Sequence, residues 1–337
     1  VRAMSAICSL YDFTTRIEKG DKIAVKTHVG EKRNTTHVSP EVVREAVKSI
    51  KKQKGRPFLT ETSTLYRGER TDGIMHLEHA YRHGFTPGKI GAPFIMADGI
   101  AGNAEIDVEI PGILHNSVSI AREAVYADAI VAVSHATGHD LSGIGACLKN
   151  LGMGLASRKG KLRQHSSLKP EINAENCTFC KQCIKWCPAD AIIERDGKAF
   201  IVTETCIGCG ECLTVCKYNA VRFDWGVDSA ELQKQIAEHA FGAVRGKENK
   251  NFYINCLYDM TKECDCVGMN QKPVVPDIGI LASTDPVALD QASLDMTEKN
   301  GDTALVGDNY PNIDPGQQLE HAEKIGLGSR DYTLTEL

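Results

Sequence analysis

Apolar and polar positions follow a strand rhythm and a helix rhythm in turn along most of this chain, and both rhythms stop at one place. Residues 21–29 (DKIAVKTHV) are apolar and β-branched, the pattern of a buried strand. Ser39-Pro40-Glu41 then opens a helix, with a capping serine, a proline in the first turn and an acid suited to the helix dipole. Val42, Val43, Ala46, Val47 and Ile50 fall on one face of it, and it ends near Gly55. Strands are expected at 57–60, 93–96, 104–110 and 129–133, and helices at 74–83 and 119–126. After a break the rhythm resumes, with a helix over 229–245, strands at 251–257 and 278–282, a helix begun by Asp285-Pro286, and a last helix over 317–325. This alternation predicts an α/β fold with a mostly parallel sheet layered with helices.

The break holds an internal repeat. Cys177, Cys180, Cys183 and Cys187 are spaced C-x2-C-x2-C-x3-C, and so are Cys206, Cys209, Cys212 and Cys216. This is the spacing of bacterial ferredoxins with two [4Fe–4S] clusters, in which the fourth cysteine of each run serves the other cluster. Cys177, Cys180, Cys183 and Cys216 are therefore expected to hold one cluster, and Cys206, Cys209, Cys212 and Cys187 the second. Zinc would call for pairs of ligands, and disulfides for a small secreted fold. Pro188 follows the first run and Lys217 the second. Residues 198–202 read as a short strand between the halves. The expected arrangement is an α/β domain of residues 1–167 and 227–337 with an α+β ferredoxin-like module, residues 168–226, inserted in it; three separate domains is the alternative.

Composition narrows the partners. Thirteen cysteines, with no N-terminal segment patterned as a signal peptide, point to a reducing, cytoplasmic setting. A net charge of −5 gives nucleic-acid binding no electrostatic support. No apolar run approaches the ~20 residues of a membrane span.

Candidate chemistry in the α/β part lies at strand ends. His28 and Lys26 close the first strand. A Gly-rich polar stretch, residues 134–154, follows the 129–133 strand where such folds place their sites, and carries His135, His139 and Lys149. It matches neither a phosphate-binding P-loop nor the dinucleotide fingerprint. Glu61 also follows a strand, and reads equally well as a solvated turn residue. His76, His79 and His83 share one helix face, read as a satisfied or solvated face ahead of a metal face. Arg158, Lys159, Lys161 and Arg163 read as a basic loop, either a docking patch or a solvated face.

Five cysteines lie outside the repeat. Cys8 and Cys147 read as buried hydrophobes. Cys264-Asp265-Cys266 can chelate a metal, iron or zinc, with imidazole help from His28, His135 or His139, or can act as a redox thiol pair. Cys256 is a weaker candidate for either role.

These segments resemble the domain-of-unknown-function 362 family, in its version with an inserted ferredoxin module. The likeness covers nearly the whole chain. It rests on Lys26-Thr-His28-Val-Gly30-Glu31, on residues 59–68, on Ser134-His135 with Gly138-His139, on residues 148–154, on Cys264-Asp265-Cys266 and on residues 275–283. The resemblance implies that the C-x-C motif belongs to the site of the α/β domain. It implies no substrate.

Two functions follow. In the first, the module relays electrons between a redox partner protein, such as a ferredoxin or reductase, and a small-molecule site where His28, Lys26, His139 and Lys149 handle protons or an anion. In the second, the chain is a non-catalytic electron-transfer subunit or metal-centre assembly factor that docks a redox partner.

Overall fold

The computed structural model describes the chain apart from residues 11–15, 167–168, 225, 248 and 300–302. The fold is mixed α/β with a mostly parallel central sheet. Its six strands lie in the order Gly279–Ser283, Phe252–Leu257, Ala129–His135, Lys22–Lys26, Arg56–Glu61, Phe94–Met96. Every neighbouring pair is parallel except the Gly279–Ser283 edge.

Both faces of the sheet are covered, which is why its strands read as continuous apolar runs and not as half-polar ones. Successive side chains point to opposite faces. Ile23, Val25, Val131, Val133 and Ile254 join the core under the helix Pro40–Lys52, with Val42, Val43, Val47 and Ile50. Ala24, Ile130, Ala132 and Tyr253 join the other core, under the helices Cys147–Gly152, Ser229–Val244 and Pro286–Lys299. Ser39 caps the first helix by accepting from the Val42 N–H.

One contact fixes the second layer tightly. A Cβ at Gly152 would lie 2.1 Å from the Ile236 carbonyl oxygen, so the helices Cys147–Gly152 and Ser229–Val244 meet backbone to backbone. The start of Cys147–Gly152 is held by the buried Asp290, which accepts from the Cys147 and Leu148 N–H groups at 2.9 and 2.7 Å and from Asn255.

Three expectations change. Residues 117–121 form a strand, not the start of a helix; only Arg122–Tyr126 is helical. Val118 and Ile120 face the core, and the strand pairs antiparallel with Glu105–Glu109, so the 104–110 run is a side hairpin outside the main sheet. The basic loop is the helix Arg158–His165, capped by Ser157, with Arg158 and Lys161 buried. Charge content misread it as solvated, because the counter-groups come from elsewhere in the chain. A helix Arg2–Leu10, unforeseen, lays Met4 and Ile7 on the first core.

The cysteine-rich stretch builds two small antiparallel ladders, Ile192–Arg195 with Lys198–Ile201, and Val221–Arg222 with Glu171–Ile172. Its core is its own and rich in thiols: Cys177, Cys183 and Cys212 pack with Ile192, Ile201 and Val221.

Candidate functional site

The strand order places a cleft. From Lys22–Lys26 the chain moves one way across the sheet to Arg56–Glu61 and Phe94–Met96, then returns to the other flank at Ala129–His135. The carboxyl ends of strands diverge at such a switch point and leave a crevice. A cavity of about 370 Å³ opens there, lined among others by Lys26, His28, Glu61, Lys149, Cys264 and Cys266.

Lys26 is a clamp at its floor. Its Nζ donates to the Thr27 carbonyl and Asn150 Oδ1, each at 2.7 Å, and pairs with Glu61 Oε2 at 3.1 Å. Those contacts use the full donor capacity of an ammonium. Burial pushes Lys26 down, and Glu61 opposes that push. Glu61, read from sequence as equally at home in a solvated turn, is buried.

His28 sits between two donors. The Gly30 N–H donates to its Nδ1 at 3.0 Å, and Arg70 Nη1 stands 3.0 Å from its Nε2. Burial, then the Arg70 charge, holds His28 well below the usual histidine range, so the ring is neutral. Arg70 is itself buried, paired with Glu31 at 3.2 Å and bonded to the Tyr66 hydroxyl. His79 and His83 satisfy the carbonyls of Gly30 and Val29 at 3.0 and 2.7 Å. They brace the loop that carries His28, whereas His76, the third histidine of that face, is buried with neither ring nitrogen hydrogen-bonded. Arg70 escaped the sequence reading because a charged residue in a loop looks solvated.

The C-x-C pair hangs over this floor. The Sγ atoms of Cys264 and Cys266 are 2.7 Å apart. Lys149 Nζ donates to Cys264 Sγ at 3.2 Å, and the Cys266 N–H does so at 3.3 Å. The Cys266 hydrogen bond, helped by Lys149 and opposed by burial, lowers Cys264, while Cys266 is raised. Lys149, against burial, is raised by the two sulfurs.

Asp265, between them, is the anchor. Its carboxylate meets His135 Nδ1 at 2.9 Å and Asn34 Nδ2 at 3.2 Å, and its carbonyl accepts from the Glu31 N–H. His135 Nε2 faces the Tyr258 carbonyl at 2.8 Å. Both ring nitrogens of His135 thus face acceptors, so it is a buried imidazolium holding the loop and has no lone pair for a metal. His139 Nδ1 accepts from the Leu141 and Ser142 N–H groups, each at 3.1 Å, leaving the proton on Nε2. Among the described residues, no three His, Cys, Asp or Glu side chains group as a single-ion site requires. Cys147 and Cys256 are buried, with burial pushing Cys256 up to about 12.

In the cysteine-rich stretch the two runs fold alike. Phe179 and Lys181 have positive φ, and so do their counterparts Gly208 and Gly210; Asp190 and Asn219 match in the same way. The Ala191 N–H donates to Cys187 Sγ at 3.3 Å, and the Ala220 N–H to Cys216 Sγ at 3.2 Å. One small cavity is lined by Cys177, Cys180, Cys183 and Cys216, another by Cys187, Cys206, Cys209 and Cys212. The grouping crosses the two runs, which suits cubanes: each thiolate binds its own iron around a cluster instead of converging on one ion.

A bridge joins the two regions. Arg67 Nη2 donates to the Cys216 carbonyl at 2.6 Å. Its neighbour Tyr66 donates from its hydroxyl to the Cys266 carbonyl at 3.3 Å.

The family model described as domain of unknown function (DUF362) matches residues 23–295. The chain belongs to this family. The match runs from the first sheet strand, across the cysteine-rich stretch, into the helix Pro286–Lys299. A selenate reductase subunit of Mesobacillus selenatarsenatis is 36% identical over 84 residues, 22% of this chain and 29% of that protein. Pyruvate synthase subunit PorD of Methanothermobacter marburgensis is 30% identical over 84 residues, 25% of this chain and 96% of that protein. The chain thus spans under a third of the reductase subunit's length and nearly all of PorD's. Among solved structures, the lactate racemase apoprotein of Thermoanaerobacterium thermosaccharolyticum aligns over 76% of this chain and 49% of that one, at TM-score 0.39 and 13% identity. Among the described residues no helix is long and apolar enough to cross a membrane.

Proposed function

We propose that this DUF362 protein is an iron–sulfur redox protein. Cys177, Cys180, Cys183 and Cys216 hold one [4Fe–4S] cluster, and Cys187, Cys206, Cys209 and Cys212 the other. When bound, each cubane carries one electron at a time. The module relays electrons between a partner protein and the Cys264–Cys266 centre in the cleft, where a small molecule reacts. The observation that carries this reading is the Tyr66–Arg67 bridge, which ties the backbone of a proposed cluster ligand to the backbone of the cleft pair. The names of the relatives, a reductase subunit and a synthase subunit, support exchange with a protein partner.

In the cleft, Lys26 and Glu61 fix the floor. His139, with its proton on Nε2, is placed to give one, His28 stays neutral beside the Arg70 charge, and Lys149 stabilises a sulfur anion. A metal at Cys264 and Cys266, iron or zinc, would need ligands beyond the imidazoles first considered, since His135 is committed to Asp265 and Tyr258.

Anaerobic purification with iron, sulfide and other-metal counting, followed by EPR of the reduced protein, tests the reading. About eight irons per chain with two interacting cubane signals is the expected result. About four irons, or zinc in their place, sinks it. The subunit names also favour a pure carrier. That reading predicts that Cys264→Ser/Cys266→Ser leaves electron transfer to every acceptor unchanged.

A further inference from the structure

We propose that Cys264 and Cys266 form a dithiol–disulfide couple, with Cys264 as the attacking sulfur and Cys266 as the resolving one, and that the substrate is a low-molecular-weight disulfide. The proposal rests on the redox reading above and deepens it by assigning roles and a substrate class.

The geometry separates the two sulfurs. Cys264 Sγ is the target of two donors, the Lys149 ammonium and the Cys266 N–H, and lies beside the Cys266 sulfur, which has no such donors. A sulfur surrounded by donors is the one that carries the negative charge. Cys266 is left as the protonated partner, close enough that a bond of about 2.05 Å needs only a short approach. Asp265 between them is pinned by His135, Asn34 and Glu31, so the loop holds the sulfurs in register. A two-residue-spaced disulfide closes a tight ring, and strained disulfides are the readily reduced, catalytic ones.

The cavity sets the substrate size. Its volume of about 370 Å³ is that of a small-molecule site. Leu65, Leu141, Met153 and Leu232 line it beside the sulfurs. Three of its cations, Lys26, Lys149 and Arg70, already have anionic partners in Glu61, Cys264 and Glu31, and a fourth, Lys161, is tied down by the Thr62 hydroxyl and the Ala156 carbonyl, so the wall offers thiol chemistry in place of a dedicated anion clamp.

The step balances. The Cys264 thiolate attacks one sulfur of the substrate; the substrate S–S bond breaks, a mixed disulfide forms on Cys264, and the first leaving thiolate takes a proton from Lys149. Cys266 gives its proton to Lys149 and attacks Cys264 Sγ, which releases the second thiolate. That thiolate is protonated from solvent. The substrate has gained two electrons, and the pair is now a disulfide. Two one-electron deliveries and one proton restore it, Cys264 returning as the thiolate and Cys266 as the thiol, from a low-potential one-electron reductant acting through the module.

The test uses the anaerobically purified full chain, reduced with dithionite, desalted and mixed with cystamine or glutathione disulfide. Two disulfides consumed per chain, the second drawing on one electron from each of the two clusters, and a Cys264–Cys266 bond in the peptide map are expected. Cys266→Ser should instead accumulate a mixed disulfide on Cys264, and Cys264→Ser should react at least tenfold more slowly. On the wild-type protein, limiting iodoacetamide should label Cys264 before Cys8, Cys147 or Cys256, which covers the case of variants that do not fold. A Cys264→Ser protein as fast as wild type, first labelling elsewhere, or a stoichiometric metal lost from that variant overturns the proposal. Iron counting on the same samples separates the failures. About eight irons without exchange removes the thiol couple alone. A low iron count with the Cys264 adduct removes the module reading alone.

Discussion

The cysteine-rich module and the cleft both gather sulfur, but by opposite means. In the module the backbone aims the thiols: positive φ at Phe179, Lys181, Gly208 and Gly210 turns each run, and the Ala191 and Ala220 N–H groups touch Cys187 and Cys216. In the cleft the work is electrostatic. Lys149 meets Cys264, and the anchor pair His135–Asp265 is a buried ion pair drawn from segments 130 residues apart. The module has a thin core of its own, which the clusters proposed for it would stabilise. The cleft leans on the two large cores of the sheet.

The sharpest way to separate them is to remove a buried thiol from each. Cys212→Ser should lower iron by about half and open residues 171–222 to protease, while the sheet stays protected. Cys264→Ser should leave iron content and protease resistance unchanged. Iron counting and limited proteolysis on both variants check this.

Glu61→Gln is the largest perturbation expected inside the cleft. It leaves Lys26 buried without its carboxylate, a loss of about 3–5 kcal/mol. Denaturant midpoints should show it. A loss under about 1 kcal/mol would mean that Asn150 and the Thr27 carbonyl suffice.

The same contrast decides what could be read from the chain. Eight thiols in one short stretch announce themselves, because local spacing is the whole signal. The parallel sheet was legible because Ile23, Val25, Val131 and Ile254 are buried on two-faced strands. Lys26, His28, Lys149 and Cys264 stood out by their strand-end or C-x-C positions. Their partners did not: Arg70, Asp265, Tyr66 and Asn150 matter through residues far away in sequence. Arg158 and Lys161 misled for the same reason. A buried charge and a solvated one look alike until the counter-group is placed.

The anchor pair gives the cleft a pH window that the module lacks. Burial works against both charges, yet His135 is raised by Asp265 and Asp265 is lowered by His135. The His135 contribution is full below its unfolded value, near 6.5, and is lost as pH rises through its folded pKa. The Asp265 contribution is full above about 3.9 and is lost as pH falls through its folded pKa. Amide exchange at Glu31 and Cys266 should therefore quicken on both flanks, with about 1.5–3 kcal/mol of protection at stake. His135→Gln should abolish the alkaline flank and move the acid flank to higher pH, since Asp265 loses the charge that lowers it.

Lys149→Met should act on one sulfur and leave the fold in place. Without the ammonium, Cys264 loses one of the groups that lower it against burial and moves up, so less of it is thiolate at neutral pH. Iodoacetamide labelling of Cys264 should slow, with iron content unchanged.

Arg67→Ala is the smallest change in stability and the most direct test of the bridge. Arg67 is exposed, and its bond to the Cys216 carbonyl contributes about 0.5–1.5 kcal/mol at most. The clusters should assemble in full, and the Cys264–Cys266 pair should keep its reactivity toward a soluble disulfide in a single turnover. The reduction of that pair through the module should slow, because Arg67 is the side chain that ties the Cys216 loop to the Tyr66 segment over Cys266. Stopped-flow mixing of oxidised variant with limiting reductant, read by cluster absorbance and by thiol release, distinguishes the two steps. Unchanged re-reduction would mean that electrons reach the cleft elsewhere, and the approach of Gly210, where an added Cβ would meet Leu162 at 3.6 Å and Arg158 at 3.7 Å, would be the next path to cut.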